Sequence, residues 1–240
     1  MRIADATVLI TGASSGIGAA TARAVAAAGG RTVLAGRDRQ RLAAVAAETG
    51  GVPFAADITL PFELTEPIDV LINNAGIGWA GPFPEMSEED IERLIAVNLT
   101  AQIRLTHALV PGMIERGRGH LVFVASIAGA TGVRHEAVYA GTKAGLMCFA
   151  DSLRYELAGT GVGVSVIVPG VIDTPFFERR GVPYDRRHPA PIPAERVART
   201  IVTAIEKGRA ETYQPGWMRL PARLRGTAPA LFRRLAQKYG

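Results

Sequence analysis

A short β-branched and apolar run, Thr7 to Ile10, ends in Thr11-Gly12-Ala13-Ser14-Ser15-Gly16-Ile17-Gly18, and an alanine-rich helical stretch follows at once. Strand, glycine loop and helix in immediate succession restrict the chain to a small set of α/β folds. Glycines let the backbone approach a diphosphate, and the new helix offers free N–H groups and the positive end of its dipole. The spacing departs from G-x-G-x-x-G, and a glycine loop by itself is equally a tight turn. The strand before it and the helix after it favour nucleotide binding.

The rest of the chain repeats that alternation. Arg31 to Gly36 reads as a second strand, Val52 to Ala56 as a third with Asp57 at its end, and Asp69 to Ile72 as a fourth ending in Asn73-Asn74-Ala75-Gly76. Only a loop or single turn fits between Asp57 and Asp69, because a helical crossover needs about a dozen residues or more. Ser87-Glu88-Glu89-Asp90 reads as a capping box opening one long helix, with Ile91, Leu94, Ile95, Leu99, Ile103 and Leu105 on its buried side. His120 to Ala125 and Gly161 to Val168 supply the fifth and sixth strands, and Glu211 to Gln214 a seventh at an edge. Near-uniformly apolar strands suit a sheet buried on both faces. The fold expected is α/β, a single-domain Rossmann-type, doubly wound, parallel seven-stranded sheet with helices on both faces. It spans residues 1–215, and a basic amphipathic tail occupies 216–240.

Composition narrows the function classes. Apolar residues are 48% and charged residues 20% of the 240, and no apolar run approaches the length of about 18 residues that spans a membrane. The N-terminus lacks the basic, apolar and small order of a signal peptide, so a cytoplasmic location is expected. One cysteine, Cys148, excludes an internal disulfide, and His107, His120, His135 and His188 show no metal-ligand spacing, so no metal is expected. The net charge of +5 thickens only around Arg179 to Arg187 and in the tail, without aromatic interleaving, which argues against nucleic acid.

Chemistry concentrates at Tyr139-Ala140-Gly141-Thr142-Lys143. On a helix, Tyr139 and Lys143 share one face, and an ammonium beside a phenol favours the phenolate and lowers the tyrosine pKa from about 10. Such a short pattern is by itself more often a surface tyrosine and a solvated lysine. The chain has only three lysines, however, at 143, 207 and 238, so an arginine-rich sequence keeps one lysine at this place. Ser126 follows the fifth strand, thirteen residues before Tyr139. Asn98, among apolar helical residues, is either a hydrogen-bonded core amide or an active-site group.

Taken together these residues resemble the short-chain dehydrogenases/reductases, from residue 5 to about 215, in the manner of a carbonyl reductase-like member. The glycine motif stands as Gly12, Ser14, Ser15, Gly16, Ile17 and Gly18, the adenine-side acid as Asp57 with Ile58, and the sheet motif as Asn74, Ala75 and Gly76. Asn98, Ser126, Tyr139 and Lys143 match the four catalytic positions, and Pro169, Gly170, Ile172 and Thr174 match the strand that contacts nicotinamide. The resemblance implies a homodimeric or homotetrameric nicotinamide-dependent oxidoreductase acting on a small-molecule carbonyl or alcohol. Tyr139 is then the acid/base, Ser126 the holder of the substrate oxygen, and Lys143 the group that lowers the Tyr139 pKa and grips the ribose. Asn98 resembles the holder of a water linking Lys143 to solvent.

Two departures are a crossover helix missing after Asp57 and the C-terminal tail. NADP(H) is expected over NAD(H): Gly36 stands where NAD-selecting members carry an acid, and Arg37 follows it, able to fork onto a 2′-phosphate, while Asp38 caps the next helix. The aperiodic stretch from Phe176 to Pro193 reads as a lid, with Phe176, Phe177 and Trp79 as walls of a lipophilic pocket. The tail is expected to pack on a neighbouring subunit or to contact an acidic membrane surface.

Overall fold

The computed structural model describes residues 1–62, 64 and 66–239, with only the backbone of residues 238 and 239. Part of the connection between Asp57 and Asp69, and the side chain of Lys238 in the tail, therefore lie outside the described residues. The chain runs β1 (Thr7–Thr11), α1 (Gly16–Ala27), β2 (Arg31–Gly36), α2 (Arg39–Thr49), β3 (Val52–Ala55), β4 (Val70–Asn73) and α3 (Glu88–Ile95). It continues through α4 (Ala101–Glu115), β5 (Gly119–Val124), α5 (Ile127–Thr131), α6 (Ala137–Glu156), β6 (Val162–Pro169), β7 (Ile172–Asp173) and α7 (Phe176–Arg179). Last come β8 (Ile192–Pro193), α8 (Ala194–Lys207), β9 (Glu211–Gln214), α9 (Arg219–Thr227) and α10 (Pro229–Tyr239). No helix among the described residues is long and apolar enough to cross a membrane.

Seven strands form one parallel sheet in the order β3-β2-β1-β4-β5-β6-β9. Its two faces are set by the period of two in a strand. Val8 and Ile10 of β1, Val70 and Ile72 of β4, and Val122 and Val124 of β5 face one way, onto α1 and α8. Leu9, Leu71, Leu121 and Phe123, the residues between, face the other way onto Leu105 and Met113 of α4 and Leu146 and Ala150 of α6. The order reverses between β1 and β4, and a crevice opens there at the carboxyl ends of the strands.

Two expectations need adjusting. The long helix after Ser87 is interrupted: Ser87 caps it by accepting from Asp90 N at 3.1 Å, but a π-turn at Ala96–Thr100 separates α3 from α4. Leu94 is buried, whereas its neighbour Ile95, expected on the same buried side, is exposed. The stretch after Thr174 is more ordered than a bare lid, with α7 at its start and β8 pairing with β7 at its end.

The tail makes contacts with its own subunit. Met218 is buried against Gly170, and Arg225 donates from Nη1 to Ala130 O at 2.7 Å. Among its described residues the short connection before β4 has no crossover helix, and Phe62 and Leu64 from it pack on the face that such a helix would cover, with Phe62 5.2 Å from the Phe54 ring.

One buried titratable group couples this sheet to pH. His120 of β5 pairs through Nε2 with Ser165 Oγ at 2.8 Å, and Ser165 donates to Arg209 O at 2.6 Å, so the serine accepts and the imidazole is the neutral Nε2–H tautomer. Burial pushes its pKa down to about 4. The unfolded chain, with an imidazole pKa near 6.5, therefore binds the extra proton first, and stability falls as pH drops from about 6.5 toward about 4. The loss attributable to His120 is about 3 kcal/mol, fully present near the lower limit. Urea unfolding of wild type and His120→Asn near neutral pH and near pH 4.5 checks this: the variant should be weaker at neutrality and decline less toward acid, and parallel declines would remove the assignment.

Candidate active site

Segment Asn73 to Ile77 leaves the sheet at the crevice and is held by side chains instead of a ladder. Thr11 Oγ1 accepts from Asn74 N and Ala75 N, both at 3.0 Å, and donates to Ile72 O at 3.2 Å. Asn74 Nδ2 donates back to Thr11 O at 2.9 Å. From the opposite side, Gln102 Nε2 donates to Ala75 O, and Asn98 clamps Ile77 by accepting from its N and donating to its O, each at 2.9 Å. The glycine loop sits against this segment. Gly12 has φ +67°, and a Cβ there would lie 2.9 Å from Ala75 Cα.

Helix α6 brings Tyr139 and Lys143 to the same edge. It packs on α5 so closely that a Cβ on Gly129 would stand 2.7 Å from Ala144 N. Lys143 is buried and donates to Val124 O at 2.8 Å, tying α6 to the end of β5. Two residues on, Ser126 caps α5 by accepting from Ala128 N at 3.2 Å, which leaves its own hydrogen to donate. The Tyr139 ring packs against Phe176 at 5.4 Å.

The protonation states differ from the sequence expectation. Burial pushes the Tyr139 phenol up to about 12, with the neighbouring Ser126 hydroxyl drawing it back, Glu136 adding to the rise and Arg180 opposing it. Burial also pushes Lys143 down to about 8. In the free protein burial therefore outweighs any lowering of the phenol by the lysine. Both groups are out of water, and the amine's hydrogen bond goes to a backbone carbonyl.

One cleft of about 1570 Å³ runs across this edge. Of the residues nominated from sequence, Gly12, Ser14, Ser15, Gly16, Ile17, Arg37, Asp57, Ile58, Asn74, Ala75, Gly76, Ser126, Tyr139, Lys143, Pro169, Gly170, Ile172 and Thr174 line it. Two nominees do not. Gly18 lies behind the loop, where a Cβ would stand 2.2 Å from Gly12 O, so it serves close helix–strand packing. Asn98 is fully buried, its amide spent on Ile77 and on Thr142 Oγ1. Phe176 and Phe177 line the cleft, whereas Trp79 turns into a side cavity of about 60 Å³ behind Tyr139.

At the nucleotide end, Asp38 accepts from Arg41 N at 3.0 Å as the cap of α2, and Asp57 accepts from Thr59 N and Oγ1. Those two bonds and Arg37 hold the Asp57 carboxyl below its usual range. Sequence reasoning missed Arg41, Glu136, Arg179, Arg180, Leu224, Phe232 and Leu235, which also line the cleft. Arg41 and Glu136 are close in sequence to Arg37 and Tyr139 but carry no distinguishing pattern, whereas the others arrive through long-range fold-backs; only the basic pair Arg179-Arg180 stands out in the sequence.

The family model for short chain dehydrogenases matches residues 6–183. The chain is 39% identical over 225 residues to the ketoacyl reductase HetN of Nostoc sp., covering 85% of this chain and 77% of that protein. It is similar to the structure of a short-chain dehydrogenase from Sphingobium yanoikuyae in complex with NADPH, at 32% identity and TM-score 0.82, covering 98% of this chain and 96% of that one. The bulky-bulky ketone specific alcohol dehydrogenase from Comamonas testosteroni matches at 28% identity and TM-score 0.75, covering 88% and 86%.

Two glycine substitutions separate packing from helix entropy. Gly18→Ala forces its methyl onto the Gly12 carbonyl and should cost about 1–3 kcal/mol in urea unfolding. Gly141→Ala, at an exposed position in the second turn of α6 with nothing within 4 Å of the new methyl, should gain up to about 1 kcal/mol. Equal effects at the two positions would contradict this reading of the loop.

Proposed function

This chain belongs to the short-chain dehydrogenase/reductase family, an NAD(P)-dependent oxidoreductase family working between alcohols and carbonyls, and we propose that it interconverts a lipophilic ketone, aldehyde or secondary alcohol using NADP(H), with Tyr139 as general acid/base. The observation that carries this reading is a single cleft with the glycine loop at one end and Ser126, Tyr139 and Lys143 further along it.

The residues fit a dinucleotide. The left-handed glycines at 12 and 16 keep side chains out of a cradle at the start of α1, where backbone N–H groups favour a diphosphate. Asp57 and Ile58 bound the adenine side, Asn74 to Gly76 the middle, and Pro169, Gly170, Ile172 and Thr174 the nicotinamide side. When bound, the nicotinamide supplies or accepts the hydride. Tyr139, with its pKa near 12, holds its proton at neutral pH, the state that protonates the oxygen as a carbonyl is reduced. Ser126 donates its free hydrogen to that oxygen. Lys143 places an amine beside Gly76 and fixes α6 on β5, and Asn98 positions Ile77 and the π-turn instead of touching substrate.

Apolar side chains support the lipophilic substrate. Phe176, Phe177 and Tyr184 form a ring-to-ring wall with centroids 5.6 and 5.2 Å apart, and Leu224, Phe232 and Leu235 of the tail line the same cleft. The ketoacyl and bulky-ketone names of its relatives point the same way. Exposed Ile95, Ile114 and Tyr155 on one side of the sheet support assembly of copies, and the cytoplasm is the expected compartment. Trp217, Leu220 and Leu231, exposed beside the tail arginines, support peripheral contact with an acidic membrane surface.

A screen of carbonyls followed by NADPH absorbance tests the activity. Bulky lipophilic ketones should turn over faster than small charged ones. Tyr139→Phe should lower kcat by about a hundredfold or more while dinucleotide affinity is kept, and Lys143→Arg should fail to replace the amine. A Tyr139→Phe enzyme with full turnover would reject the assignment.

The NADP(H) preference rests on Gly36 and Arg37. Gly36 offers no carboxylate, Asp38 is engaged as a helix cap, and Arg37 and Arg41 both face the cleft. Charge-assisted bonds to a 2′-phosphate are worth about 1.5–3 kcal/mol each, so kcat/KM should favour NADPH by about ten- to a thousandfold. Arg37→Ala should shrink that ratio; an unchanged ratio would mean that Arg37 does not read the phosphate.

A further inference from the structure

The stretch after Thr174 crosses the cleft and is fastened on both banks by adjacent arginines. Arg180 pairs with Glu136 at the start of α6, packs its guanidinium 4.7 Å from the Phe177 ring centroid, and donates from Nε to Val182 O at 2.9 Å. That pair is nearly buried and complete. Arg179 points the other way and donates from Nη1 to Ser15 Oγ at 3.1 Å, on the glycine loop.

The two fastenings differ in kind. Ser15 is the N-cap residue of α1, yet its side chain makes no capping bond. Its hydroxyl is a neutral acceptor for a guanidinium that forms no ion pair among the described residues. The loop beneath has the open glycine backbone and free N–H groups described above. The root of the flap already rests on it, since a Cβ on Gly16 would lie 3.1 Å from Thr174 Cγ2.

We propose that Arg179 is a further cofactor-binding residue: its guanidinium leaves Ser15 for the diphosphate of the bound dinucleotide, so that cofactor binding clamps the flap shut. This rests on the dinucleotide reading of the cleft. A doubly charged, multi-oxygen acceptor matches the guanidinium fork, which one hydroxyl does not. The flap carries Phe176 against Tyr139 and Phe177 against Tyr184, so the clamp also sets the apolar wall around the reacting oxygen. It is the charge of the diphosphate, common to NADPH and NADH, that closes the flap.

Fluorescence titrations of the full chain with NADPH and with NADH, without substrate, test this together with hydrogen exchange of residues 176–191. Arg179→Gln should weaken both dinucleotides about tenfold, Arg179→Lys less so, and saturating NADPH should protect flap amides in wild type but not in Arg179→Gln. Arg37→Ala should weaken NADPH alone, which separates the diphosphate from the 2′-phosphate. Unchanged affinity for both dinucleotides in Arg179→Gln overturns the proposal, as does a loss confined to NADPH, which would make Arg179 a reader of the 2′-phosphate. A wild type that binds neither dinucleotide instead removes the cofactor reading, and this proposal with it.

Discussion

The geometry of the cleft depends on how segment Asn73 to Ile77 is held after it leaves β4. Backbone that departs from a parallel sheet loses its ladder partners, and buried N–H and C=O groups must then find others. Thr11 and Asn74 fasten the segment to the end of β1, while Gln102 and Asn98 fasten it to the helices on the far face. This polar knot lies between the glycine loop and the end of the sheet from which the Tyr139 helix is hung, and it helps to set their separation. The π-turn follows from it: Asn98 reaches Ile77 from within the π-turn, where the local winding differs from that of the flanking helices.

At Tyr139 and Lys143 two effects oppose each other, and burial wins. A cation near a phenol lowers its pKa, but each group here is removed from water, and desolvation penalises the charged form of both. The phenol thereby stays protonated at neutral pH, and the lysine, lowered to about 8, stays mostly an ammonium. The hydrogen bond from Lys143 to Val124 O gives that amine a mechanical task as well, because it couples the helix carrying the phenol to the strand carrying the serine. Glu136 and Arg180 place an ion pair one helical turn before the phenol, so the flap's position is felt electrostatically at the Tyr139 oxygen.

The apolar end of the cleft is assembled from parts remote in sequence. Phe176 and Phe177 come from the flap, and Leu224, Phe232 and Leu235 come from two helices at the end of the chain. Those helices are basic on their outer side and still leave Trp217, Leu220 and Leu231 exposed, so one element serves the pocket within and presents an amphipathic surface outside.

The strands, their parallel order, the glycine loop and the positions of Ser126, Tyr139 and Lys143 are legible in the sequence, because each is a local pattern with a local cause. Alternation within Val8 to Ile10 and Val70 to Ile72 decides the two faces, positive φ at Gly12 and Gly16 demands glycine, and the short stretch after Asp57 excludes a crossover helix. Asp38 as a helix cap and Gly36 beside Arg37 are local as well. What only the tertiary structure decided depends on approach between distant segments: that Gly18 packs and does not line the cleft, that Asn98 spends its amide on Ile77, that Trp79 turns aside, and that the tail returns to its own subunit. The protonation of Tyr139 belongs with these, since desolvation is a property of everything packed around a group and no spacing in the sequence records it.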